Sequence, residues 1–182
     1  MAAEGNPEHS GQAELMAFLE KEGIVTKTYE HPEVFTVDEM MPYLEKLNLE
    51  GAVSKNFFVR DKKKRNHWLI TAHHYQSVNL NTLGKKLGAS GGIRFADESV
   101  LKEKVGVGQG CVTPLAVLND KKGEVKLVVE ADFLKEGKHK HLHFHPMVNS
   151  ATLAITPSDF VKFVKATGHE PIVVDMTEPT DC

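Results

Sequence analysis

The chain is poor in cysteine: there are two in 182 residues, Cys111 and Cys182, far apart in sequence. That spacing excludes a disulfide framework and points to a reducing compartment, so a cytoplasmic protein is expected. Long apolar runs are also missing. Met1 to Gln12 is polar and lacks the apolar core of a secretory signal, and no later stretch is long enough to span a bilayer. No membrane partner is expected. Charge of one sign does not dominate either: 22 Lys+Arg against 25 Asp+Glu leave a net −3. A protein basic over its whole surface is excluded; DNA is not an expected partner, and any other nucleic acid must engage a local patch. Two catalytic signatures are absent: no GxSxG elbow occurs, and the glycine-rich stretch at 106–110 lacks the Lys-Ser/Thr ending of a nucleotide-binding P-loop. What is present is a composition 41% hydrophobic and 26% charged, able to bury a core, in a length suited to one domain.

Helix and strand signals alternate along the chain, which predicts a mixed α/β (α+β) fold. A single domain over residues 1–182 is expected, ordered over about 10–175, with the polar ends Met1 to Pro7 and Thr177 to Cys182 loose. The first helix starts near Ser10, carries Leu15, Phe18 and Leu19, and stops at Gly23. Val25, Lys27 and Tyr29 alternate as a strand. Thr36 and Glu39 form a capping-box pattern, with Phe35 and Met40 placed to close a hydrophobic staple. Met40, Met41, Leu44 and Leu47 give that second helix its apolar face before Gly51. Val53 to Arg60 and His67 to Ala72 flank a charged turn and read as a hairpin. A short helix near Asn81 to Leu87, a strand at Ile93 to Phe95 and a helix from Asp97 towards Lys104 follow. Pro114 to Leu118 and Glu124 to Val129 read as a second hairpin, His139 to His145 and Ala151 to Ile155 as two more strands. Thr156 and Pro157 open a last helix carrying Phe160, Phe163 and Val164, and Ile172 to Val174 is a final strand. The expected architecture is a curved mixed sheet of about seven strands surrounded by about five helices.

Four features carry chemistry. Lys55 shares a strand face with Val53, Phe57 and Val59. A lysine there either packs its stem and snorkels to an edge, or presents an ammonium at a pocket mouth to a phosphate or carboxylate. Gly106, Gly108 and Gly110 alternate ahead of Cys111-Val112-Thr113-Pro114, forming either a tight connection or a loop whose amides approach a ligand. His139, His141, His143 and His145 fall on one face if the stretch is extended. No Asp, Glu or Cys follows closely, and Lys138 and Lys140 would repel a cation, so solvated or anion-facing imidazoles are expected and a metal is not. Lys62-Lys63-Lys64-Arg65 and Lys85-Lys86 are solvated tips or steering patches for a polyanion.

Several stretches occur together in one order: Phe35-Thr36-Val37-Asp38-Glu39, Ser54-Lys55-Asn56-Phe57-Phe58-Val59-Arg60-Asp61, Gly110-Cys111-Val112-Thr113-Pro114-Leu115, His143-Phe144-His145-Pro146-Met147-Val148-Asn149-Ser150, and Thr167-Gly168-His169-Glu170-Pro171. As a set they resemble the YbaK/ProRS-associated editing domain superfamily, and within it the free-standing PrdX/ProXp-ala branch, over Ala13 to Asp175. The resemblance implies that family's fold and its activity, hydrolysis in trans of the ester of mischarged tRNA, here Ala-tRNA(Pro). It implies aminoacyl-tRNA as partner, tRNA(Pro) in particular, with prolyl-tRNA synthetase a further candidate, and neither cofactor nor metal. Lys55 falls on the family's lysine for the terminal adenosine or its phosphate, and Gly110 and Pro114 on its GxxxP loop. His145 and Asn149 match pocket positions. Lys55, Gly110 and His145 are thus the expected catalytic residues; Phe35, Thr36, Asn56, Phe57, Thr113, Pro114, Asn149, Lys85 and Lys86 are expected to bind substrate. Phe35, Val53, Phe57 and Cys111 are candidate walls of the amino-acid pocket by position. Two other readings stand beside this one: a non-catalytic tRNA- or synthetase-binding module that keeps the fold, and a metallohydrolase built on the histidine run.

Overall fold

The computed structural model describes residues 9–176, so the two expected loose ends lie outside the described residues. Apolar alternation along the strands decides the architecture. In β3 (His67–His73), every residue is buried, which requires cover on both faces. Leu69 enters the main core, whereas Trp68 and Ile70 enter a second cluster on the opposite face. In β5 (Val125–Glu130), Leu127 and Val129 point into the main core and Val128 into the second cluster, so both strands lie centrally in the sheet.

The remaining strands are β1 (Lys27–Glu30), β2 (Ala52–Asp61), β4 (Ile93–Phe95), β6 (Leu142–Phe144), β7 (Ala151–Ile155) and β8 (Ile172–Val174). They form one sheet in the order β1-β7-β6-β2-β3-β5-β8, with β4 pairing the far end of β2. The β2–β3 hairpin sets Lys55 opposite Ala72 and Arg60 opposite His67. Its turn is organised by Asp61, whose carboxylate accepts the amides of Arg65 (2.8 Å) and Asn66 (3.3 Å) and the Asn66 side chain (2.9 Å). The sheet is mixed: β2–β6, β3–β5 and β5–β8 are parallel pairs.

Among the described residues, five α-helices cover the sheet. α1 (Gln12–Lys21) and α5 (Pro157–Ala166) dock on the main core through Leu15 and Leu19, and through Phe160, Phe163 and Val164. A ten-residue helix is marginal alone; burying each such side chain contributes about 1.5–3 kcal/mol and holds it. α4 (Glu98–Val105) joins the same core, and α3 (Leu80–Lys86) covers the second cluster through Leu83. α2 (Val37–Lys46) covers a third, made by Val34, Met40, Leu44 and Val53. Among the described residues no helix is long and apolar enough to cross a membrane.

The structure corrects four local expectations. Pro114–Asn119 is a 3-10 helix and not a strand, so the second hairpin does not form. Its residues Leu115, Ala116 and Val117 are all buried, and a short apolar run carries no period that separates strand from buried helix. Thr113 and Pro114 supplied the missed signal: the Thr113 hydroxyl accepts the Leu115 amide and the proline sits at the first turn. The histidine run is extended only over Leu142–Phe144, so its four imidazoles do not share a face. α2 ends at Lys46, where Leu47 is exposed and Asn48 takes φ 52°. Gly51 lies outside it and is needed for another reason: a Cβ there would stand 2.1 Å from the His141 carbonyl oxygen. Finally, Met40 packs in the same cluster as Val34, while Phe35, the expected staple residue, is 66% exposed.

Candidate functional site

Displacing Phe35 from the staple delivers it to a cavity of about 480 Å³. Three segments distant in sequence enclose this space. The entry to α2 contributes Phe35, Thr36 and Val37; β2 contributes Ser54, Lys55, Asn56, Phe57 and Phe58; and the glycine loop contributes Gln109, Gly110 and Val112. His145 closes one side, and Phe95, Ala96, Glu98 and Leu101 complete the wall.

Each polar member is held by a local cause. Thr36 caps α2, its hydroxyl accepting the Glu39 amide at 3.2 Å. The Glu39 carboxylate accepts the Phe35 amide at 2.7 Å, a capping box displaced by one residue that fixes the backbone carrying Phe35. Asn56 accepts from the fully buried Thr71 hydroxyl (2.8 Å) and donates to Ser54 Oγ (3.3 Å), which in turn donates to the His143 carbonyl (3.1 Å). That relay leaves the Asn56 amide little freedom to turn.

Lys55 is the chemically exposed member. Its ammonium lies 5.7 Å from the centre of the Phe57 ring, on the strand face the alternation predicts. Among the described residues no carboxylate pairs with it. Partial burial without a counter-charge lowers its pKa from the ordinary lysine value. A cation held short of full solvation in the wall of a cavity gains from an anionic ligand.

Gly110 has φ 88° and a Cβ there would reach 3.3 Å from the Phe35 ring. The left-handed φ favours glycine, and an added Cβ would also press the Phe35 ring to give by a few tenths of an ångström. Cys111 N donates back to the Gly108 carbonyl (3.0 Å) and Gln109 N to the Glu98 carboxylate (3.3 Å), whereas the Gly110 amide makes no hydrogen bond within the described residues. His145 has its Nδ1 3.1 Å from the Ala151 carbonyl. Burial lowers its pKa, so the ring is neutral with the proton on Nδ1 and the lone pair on Nε2.

The other expected residues fall outside this lining. Thr113 and Pro114 are buried behind the loop as the cap of the 3-10 helix. Asn149 is buried one layer back, its carbonyl accepting the Val34 amide at 3.1 Å and its side chain 3.9 Å from the position of a Gly110 Cβ. Lys85 and Lys86 end α3 away from the cavity, and Lys86 Nζ donates to the Asp175 carbonyl. Of the four candidate walls, Phe35 and Phe57 line the space, but Val53 and Cys111 do not. Val53 is buried under α2. The left-handed turn at Gly110 sends Cys111 towards the main core, where burial raises its thiol pKa, and gives the wall position to Val112. Phe95 and Glu98 were missed. Phe95 is 59% exposed and meets Phe57 edge to face, and Glu98 anchors the glycine loop; no local pattern marks either.

Residues 31–163 match the aminoacyl-tRNA editing domain family, and that span contains every lining residue of the cavity. The chain belongs to this family. It is 53% identical over 165 residues to the mouse prolyl-tRNA synthetase associated domain-containing protein 1, covering 90% of this chain and 95% of that one. It is 34% identical over 157 residues to the prolyl-tRNA editing protein ProX of Acetoanaerobium sticklandii, covering 85% and 91%. Among solved structures, hypothetical protein APE2540 superposes with a TM-score of 0.69 at 20% identity, over 92% of this chain and 99% of that one, a likeness of fold. The cavity of the editing domain is therefore where its chemistry is sought.

Proposed function

We propose that this editing domain hydrolyses, in trans, the ester of mischarged aminoacyl-tRNA, with Ala-tRNA(Pro) as substrate, in the cytoplasm. The observation that carries the reading is one cavity lined both by the Lys55 ammonium, with no carboxylate partner among the described residues, and by Gly110, whose amide makes no hydrogen bond within them. An aminoacyl ester needs positioning, a donor for the developing oxyanion and access for water. Lys55 grips the phosphate or ribose of the terminal adenosine, and Gly110 N–H donates to the carbonyl oxygen as it becomes negative. His145 Nε2 takes a proton from the attacking water as the water oxygen bonds to the carbonyl carbon. The ester C–O bond then breaks, the same proton passes from His145 to the departing 3′-oxygen, and a free amino acid and a tRNA 3′-hydroxyl leave.

The donor set supports a reaction with no metal in this cavity. Its lining offers one imidazole, His145, and one carboxylate, Glu98, already bound to the Gln109 amide and paired with Lys102. Proofreading by a separate pocket follows from weak discrimination against smaller side chains, about 1–3 kcal/mol per missing methylene. Phe35, Phe57, Phe58 and Val112 are the apolar lining residues against which a small side chain would pack.

The test is a panel of mischarged tRNAs incubated with the purified chain. Release of alanine from Ala-tRNA(Pro), with Pro-tRNA(Pro) spared, is the expected result. Cleavage of a different mischarged tRNA overturns the specificity and keeps the hydrolase. Saturable tRNA binding with no turnover on any charged species overturns the hydrolase and leaves a binding module, on which prolyl-tRNA synthetase is then tried as partner.

A further inference from the structure

A second cavity of about 480 Å³ lies under the other half of α2 and shares no lining residue with the first. Met41, Leu44, Asn48 and Val53 line one side of it, and His73, His74, Tyr75 and His139 line the other. At its wall two imidazoles and a carboxylate converge. His73 Nε2 and His139 Nε2 stand 2.6 and 2.9 Å from the same oxygen, Oδ2 of Asp132. All three donor atoms lie within 4.8 Å of one another. The donors come from three places in the chain: the end of β3, the 3-10 helix Ala131–Leu134, and the loop ahead of β6. The sequence gives no warning of it, since the acid precedes the histidine run and the second imidazole lies far upstream.

The donors are also fixed in place. The His73 ring stacks on Tyr75 with centroids 5.0 Å apart and meets the fully buried Phe133 edge to face at 4.4 Å. The Asp132 amide donates to Glu130 Oε1 (3.2 Å), and Glu130 is itself fully buried, its Oε2 accepting the Met176 amide. Lys138 holds the other Asp132 oxygen, Oδ1, leaving Oδ2 to the imidazoles. Ligating carboxylates are commonly braced through their free oxygen in this way.

The geometry points to a binding site for a divalent d-block cation, Zn2+ foremost, held by His73 Nε2, His139 Nε2 and Asp132 Oδ2. Two imidazoles and one carboxylate are a donor set suited to that class of ion. Around Zn2+, with bonds near 2.0–2.2 Å, tetrahedral donors stand about 3.3 Å apart. The ion therefore enters by spreading a cluster that is now drawn together by hydrogen bonds. Both imidazoles line the cavity, so a fourth, solvent ligand reaches the ion from it. Lys138 and Lys135 lie near Asp132 and set the affinity below that of a closed four-ligand site. Nothing in the deacylation reading depends on this ion, nor the converse.

The tag-free chain, stripped with chelator and dialysed, is titrated with ZnCl2 by calorimetry, and with Co2+ by visible absorption. One saturable equivalent with a micromolar dissociation constant is expected, and Co2+ gains the ligand-field bands of a low-coordinate nitrogen and oxygen site. His139→Ala weakens binding by about tenfold or more, while His141→Ala, in the same run but outside the cluster, binds like the parent. His139 is only partly buried, so its variant keeps the test sound if a buried His73→Asn chain fails to fold. No saturable heat up to about millimolar zinc, or equal loss in the His139 and His141 variants, overturns the site and leaves a hydrogen-bonded node.

Discussion

Replacing Lys55 by methionine keeps the length of the stem and removes the charge, and the structure gives opposite signs for its two effects. On activity, the ammonium lines the cavity 5.7 Å from the Phe57 ring centre, with no carboxylate paired to it among the described residues. A hydrogen bond from a charged donor contributes about 1.5–3 kcal/mol net, and each 1.4 kcal/mol is tenfold, so kcat/KM for deacylation falls about 10- to 150-fold. On stability the sign reverses. Burial lowers the Lys55 pKa, so the folded chain holds that proton less tightly than the unfolded one. Between the lowered folded pKa and the ordinary value the unfolded state binds more protons, and stability rises with pH through that window. Below the window the charged amine is a steady penalty, which methionine removes. The variant therefore melts at a higher temperature at neutral pH while losing catalysis. Single-turnover deacylation and a thermal melt on the same preparation read both. Activity within about twofold of the parent, or a lower melting temperature, refutes the reasoning.

Three further outcomes follow from the same geometry. Gly110→Ala places a Cβ 3.3 Å from the Phe35 ring at φ 88°; the left-handed conformation costs an alanine about 1–2 kcal/mol, so the loop shifts and single-turnover kcat falls with the chain still folded by circular dichroism. His145 carries a pKa lowered by burial, so the parent stays active down to a pH below the ordinary histidine range, and His145→Gln flattens that acid limb of the rate profile. Burial raises the Asp120 pKa, but the hydrogen bond from His169 (2.9 Å) and the Val125 and Glu124 amides outweigh it and hold the carboxyl below its usual range. Its stabilising effect is present above the unfolded pKa and lost as pH falls through the folded one, so Asp120→Asn costs about 1–3 kcal/mol in urea at neutral pH and progressively less in acid, with deacylation per folded molecule unchanged.

Lys55 was legible because a strand has period two: a lysine among Val53, Phe57 and Val59 is anomalous whatever the fold, and its ammonium does sit over Phe57. The α2 entry was legible through Thr36 and Glu39, since capping is a local contract between residues three apart. The walls were not. Phe95 and Glu98 reach the cavity because β4 pairs the far end of β2, setting Phe95 beside Val59, and nothing within either segment encodes that pairing. The same holds for His73 and Asp132, which meet His139 through the parallel β3–β5 pair. Val53 and Cys111 are candidate walls by position, and tertiary packing takes both out of the lining. Val53 shares the Lys55 face of β2, but α2 covers it there, in one cluster with Val34, Met40 and Leu44, and Cys111, after the left-handed Gly110, packs against the main core.

The cavity is best understood as one mechanical unit, because the segments that form it are stitched together away from the chemistry. His31 N donates to the Ser150 carbonyl (3.0 Å) and Val34 N to the Asn149 carbonyl (3.1 Å), clamping the strand-to-α2 connection to the segment just after His145. Phe35 leaves that clamp to lie against Gly110, while Glu98 grips the loop from the other side at Gln109. Asn149 is thus a positioning residue, touching both the α2 entry and the glycine turn from behind. Shortening it removes no group from the lining and leaves the backbone bond to Val34, but takes the side chain away from behind Gly110 and loosens the glycine turn. The loss falls on kcat as well as on KM, whereas trimming Phe35 alone moves KM more.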